Sequence, residues 1–132
     1  MSDAKVDELV RQMENYLECW KQFNFYLNQA RAKNFSAEDE TQFLEVKSLL
    51  TQELEILFSA IEVENPRKDE ILALISDAPS IRYLSEQNEA ALRSLENQWH
   101  KIYIAWQSLL GQLKVQQRQA GKKGLFSGMF KK

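Results

Sequence analysis

One cysteine, one histidine, two prolines and four glycines are spread over 132 residues. A single cysteine forms no internal disulfide, so disulfide-stapled scaffolds are excluded, and a free thiol fits a reducing compartment. One histidine beside one cysteine leaves little raw material for a metal centre. The shortage of proline and glycine argues against many short strands joined by tight turns. No apolar run exceeds five residues, as in Ile71-Leu72-Ala73-Leu74-Ile75, where a spanning helix needs about 20. The opening Met-Ser-Asp-Ala-Lys-Val-Asp-Glu lacks an apolar region. The expectation is therefore a cytoplasmic chain without a secretory leader.

Acid is missing from the last quarter. All nineteen acidic residues lie at or before Glu96, against ten basic ones, a formal −9 up to Asn97. From Gln98 onward there are seven basic residues and no acid, a formal +7. Such asymmetry points to an anionic surface or partner, or more simply to basic and acidic helices packed side by side. A body this acidic repels phosphates, so nucleic acid is not an expected partner.

What is present is helical period. Hydrophobic residues at 44% and charged residues at 27% are ordinary globular values, and the length is that of one domain. Val6, Leu9, Met13, Tyr16, Trp20, Phe23, Leu27 and Ala30 alternate spacings of three and four, which keeps one stripe on one helix face. Ser36 followed by Ala-Glu-Asp is a capping signal, and a second helix follows on Phe43, Val46, Leu50, Leu54, Leu57 and Ile61. Asn65-Pro66 reads as the cap and first residue of a short helix with Ile71, Leu74 and Ile75 inward. Leu92, Leu95, Trp99, Ile102, Trp106, Leu109 and Leu113 mark the last helix, whose seam fades at Gln116 and Ala120.

The reading is an all-α, elongated antiparallel bundle of three long helices and one short one, near 3–32, 37–64, 67–77 and 80–119. Residues 1–120 form the bundle domain and 121–132 a basic-amphipathic tail. The plan is similar in architecture to bacterial export chaperones of the flagellar and secretion kind, a likeness of layout that no motif carries.

Chemistry is thinly provided for. A ferritin-like di-metal site needs two Glu-x-x-His pairs, and the residue three before His100 is Asn97. Glu96 precedes His100 by four, the spacing of an ordinary polar contact. Cys19 lies between Glu18 and Trp20, without a Cys-x-x-Cys partner, which suits an inert thiol. No glycine-rich phosphate loop or nucleophile elbow occurs. No cofactor, metal or catalytic residue is expected. Gly111, inside the strongest helical pattern, marks either a close backbone approach or a tolerated helix cost.

The tail carries Lys122, Lys123, Lys131 and Lys132 around Leu125, Phe126, Met129 and Phe130. The apolar four fall at i, i+1, i+4 and i+5, one face of a short helix. They suit docking on a protein surface, self-association, or weak contact with an anionic membrane. Phe25, Tyr26, Phe58, Tyr83 and Tyr103 lie beyond the seams and are candidate surface aromatics for a partner. The expected function is a non-enzymatic interaction module, adaptor or chaperone-like, that binds another protein's helix or forms a homodimer. The alternative is a peripheral membrane protein tethered by its tail.

Overall fold

A computed structural model describes the backbone of residues 3–130 and the side chains of residues 4–120. It is 85% helical, and no strand occurs among the described residues. Helix α1 spans Asp3–Ala32, α2 Ala37–Ala60, α3 Lys68–Ser76, α4 Ile81–Ser85 and α5 Glu89–Phe130. The thirty residues of α1 make a rod of about 45 Å at 1.5 Å per residue.

All eight stripe residues of α1 are buried, as are Phe43, Val46, Leu50, Leu54 and Leu57 of α2. The α5 seam is buried from Leu92 to Trp106 and again at Leu113, with Leu109 partly covered. The centre is a run of rings. Tyr16 meets Trp20 and Trp106 edge-on, with centroids 6.2 and 5.2 Å away, and Phe23 lies 5.5 Å from both Trp20 and Phe43. Full burial of Trp20 and Trp106 removes their large apolar surfaces from water, a contribution of roughly 2–3 kcal/mol or more each. The polar tips are used selectively. Tyr16 donates its hydroxyl to Leu50 O at 2.9 Å, and Trp99 Nε1 donates to Trp20 O at 2.7 Å. Trp20 Nε1 and Trp106 Nε1 are buried without an acceptor, which costs stability.

Polar contacts at the rim fix the helix directions. Tyr26 reaches Gln42 while Tyr16 reaches Leu50, so α1 and α2 run antiparallel. Arg31 pairs with Glu96 at 3.0 Å and Glu89 at 3.4 Å, Glu14 with Lys114 at 3.3 Å, and Asp7 accepts from Gln117 at 2.7 Å. These contacts set α5 antiparallel to α1 from Asp7 to Arg31. Glu96 is therefore spent on Arg31 and not on His100.

The connections depart from the sequence reading at three places. Helix α2 stops at Ala60, not near 64: Ile61 is extended, and Ile61 and Val63 pack against the core from non-helical chain. Both are β-branched and accept an extended backbone readily. Helix α3 starts at Lys68 after Arg67, so Asn65 is not its cap, and Pro66 is instead buried under the turn. The expected fourth helix is two. Helix α4 ends at Ser85, and Asn88 Oδ1 accepts from Ala91 N–H at 2.7 Å to open α5. Helix α5 also continues unbroken past residue 120 to Phe130, so no helix end marks the expected domain boundary. The Ser36 capping box forms as read, with Asp39 as its reciprocal partner.

Candidate interaction surface

Helix α4 is held across α1 and α2 by a carboxylate. Glu40 on α2 accepts from Ile81 N–H at 2.7 Å and from Arg82 N–H at 3.0 Å, while Ser80 caps Tyr83 N–H. Lys47 points to the same side, its ammonium 3.4 Å from Pro79 O and 5.8 Å from the Phe43 ring centre. Burial lowers its pKa. The α4 side of α2 is thus occupied.

The opposite side is open. Leu49 and Ile56, each 45% exposed, are two turns apart on one stripe of α2, with Glu38 and Glu45 further along it. Lys47 is the only basic residue of α2. Glu38, Glu45 and Glu53 take part in no salt bridge among the described residues. The exposed face is therefore apolar at Leu49 and Ile56 and negative toward its N-terminal end. The other acid-rich contacts are already neutralised: Glu55 pairs with Lys68, Glu70 with Lys101 and Arg67.

The expected surface aromatics divide. Phe25 and Tyr83 are exposed. Tyr26 is buried, which corrects the sequence reading: it packs against the Phe25 and Phe43 rings and donates to Gln42 Oε1 at 2.8 Å. Burial first, then Asp39 and other nearby carboxylates, raises its pKa. Phe58 and Tyr103 are half-buried, Phe58 edge-on to Trp106 at 6.1 Å and Tyr103 stacked on Trp99 at 4.8 Å. Their positions beside the seams conceal a side approach to the same core. The tail residues Lys122, Lys123, Leu125, Phe126, Met129 and Phe130 lie outside the residues whose side chains are described, and Lys131 and Lys132 outside the described residues altogether.

Cys19 is half-buried, and burial, then Glu53, then Glu18 push its thiol pKa up, the reverse of what activates a nucleophile. Among the described residues no group of three or more His, Cys, Asp or Glu is close enough to hold a metal ion. No helix is long and apolar enough to cross a membrane among the residues described. Two clefts flank the chain that leaves α2. One is lined by Glu62, Glu64, Asn65, Ser108 and Gln112, the other by Ile61, Leu109, Leu113 and Gln116. Gly111 faces open space: a Cβ placed there meets no heavy atom within 4 Å, so the close-approach reading does not hold within the chain.

The α2 stripe was missed by the sequence reading, although a second series with spacings of four and three (Glu45, Leu49, Gln52, Ile56) runs beside the core seam. Comparison of the chain with protein-family models, with curated proteins and with solved structures finds no match.

Proposed function

We propose that this chain is a non-enzymatic, cytoplasmic interaction module, adaptor- or chaperone-like, whose ligand is a partner helix laid along the outer face of α2. The observation that carries the reading is the pair Leu49 and Ile56, exposed at seven-residue spacing among unneutralised carboxylates. Scattered exposed leucines are normal on any protein. Two on one stripe of a helix, with Leu44 exposed elsewhere on the same helix, form half of a helix-helix seam. The free thiol of Cys19 is in keeping with a reducing compartment.

The test compares co-purification by the tagged native chain and by Leu49→Asp/Ile56→Asp. Both positions are exposed, so the variant keeps its helical circular dichroism. A partner recovered by the native chain and lost by the variant supports the reading. Equal recovery by both refutes it, since the partner is then held elsewhere.

A further inference from the structure

We propose that the outer face of α2 receives the basic amphipathic C-terminal segment, residues 121–132, of a second copy of this chain. The proposal rests on the reading above and names the helix.

Charge complementarity is the first support. Glu38 and Glu45 precede Leu49 and Ile56 on the same stripe and have no salt-bridge partner among the described residues. The single base of α2, Lys47, is engaged on its other side by Pro79 O and the Phe43 ring. Residues 121–132 are the chemical inverse: four lysines, no acid, and Leu125, Phe126, Met129 and Phe130 at one-face spacing.

Where α5 ends is the second support. Asp7 is level with Gln117 and α1 begins at Asp3, so antiparallel register exhausts α1 near residue 120. Helix α5 runs on to Phe130, about ten residues beyond the end of its own bundle, leading away from its own α2. The face it fits is that of another molecule. Lengths agree as well. The ten helical residues 121–130 span about 15 Å, and Glu45 to Ile56 about 16 Å. The core seam of α5 fades at Gln116 and Ala120, so the segment does not simply extend it. Four apolar side chains and a few exposed ion pairs form a small interface, reversible and salt-sensitive.

Sedimentation equilibrium of the full chain over a tenfold concentration range reads the association. In about 0.1 M salt the mass rises with concentration from 15.4 kDa toward twice that value. Glu38→Lys/Glu45→Lys weakens association at least tenfold, as does Lys122→Glu/Lys123→Glu. Combining the four reversals in one chain restores it, which a merely destabilised fold does not do. About 1 M salt, where the screening length falls to about 3 Å, also weakens it. A constant mass of 15.4 kDa, or reversals without mutual rescue, overturns the proposal. So does flotation of the monomer with anionic vesicles through Lys122 and Lys123, because the segment's target is then lipid. A synthetic peptide of residues 119–132 separates the two readings. If the full chain stays monomeric but binds the peptide in a Glu45-dependent way, self-supply falls and the partner-helix face stands. If it binds no peptide either, the self-supplied helix falls, and the partner-helix face is decided by the co-purification of the native chain against Leu49→Asp/Ile56→Asp.

Discussion

Replacing Gly111 by alanine isolates one term of stability. Gly111 sits in the interior of α5 on an exposed surface, its φ is not positive, and the added methyl meets nothing within 4 Å. No contact is gained and no strain introduced. What changes is the entropy that glycine loses on entering a helix, about 0.8–1.0 kcal/mol relative to alanine. For 132 residues, an unfolding entropy near 2.1 cal/mol/K per residue converts that into a rise in Tm of about 3–4 °C. In urea, with a slope of about 2 kcal/mol/M, the midpoint moves up by roughly 0.4–0.5 M. Thermal and urea melts followed at 222 nm, at one low protein concentration, measure both. An unchanged or lowered Tm refutes the reasoning. Either α5 is then not helical through residue 111, or that face is covered by another chain in solution.

Tyr16→Phe removes the hydroxyl bonded to Leu50 O and costs about 1 kcal/mol in urea melts. Burial raises the Tyr16 pKa above the ordinary 10.0. Below about pH 10 the phenol is protonated in both folded and unfolded chains and stability is indifferent to it. As pH rises past 10 the unfolded chain ionises first, so stability falls, and Tyr16→Phe flattens that alkaline loss in part, Tyr26 being shifted the same way. Glu40→Ala frees the Ile81 and Arg82 amides and costs about 1–2 kcal/mol. Glu40→Gln recovers part of it, seen as a smaller drop in the urea midpoint.

The long elements were legible because each carries its period through many turns. The α1 stripe from Val6 to Ala30 leaves no other register, and Ser36 with Asp39 shows its cap in four letters. The breaks were less legible because competing signals sit close together. Pro66 following Asn65 has the letters of a helix start, yet the chain uses it as a buried turn residue and begins α3 at Lys68. Asn88, which caps α5, is hidden by the apolar Ile81 and Leu84 before it, which continue the pattern across the gap. Ile61 falls on the α2 stripe and is half-buried as expected, but from extended chain. Periodicity reports which side is covered, not which backbone delivers it. The surface was read worst. Tyr26 looked free because it is off the stripe, and only the arrival of Phe43 and Gln42 from α2 closes over it.

The order of the helices along the chain has a bearing on synthesis. The helix made first, α1, has its most extensive partner in the helix made last: Trp99 bonds to Trp20 at a sequence separation of 79, and Gln117 to Asp7 at one of 110. While the chain emerges from the ribosome, α1 finds α2 early and can form a hairpin, but the side meant for α5 stays wet. That side runs from Asp7 past Glu14 and Trp20 to Arg31, where α5 bonds to α1. Closure waits for Trp106 and Leu113, so the nascent protein holds a hydrophobic flank open through most of its translation.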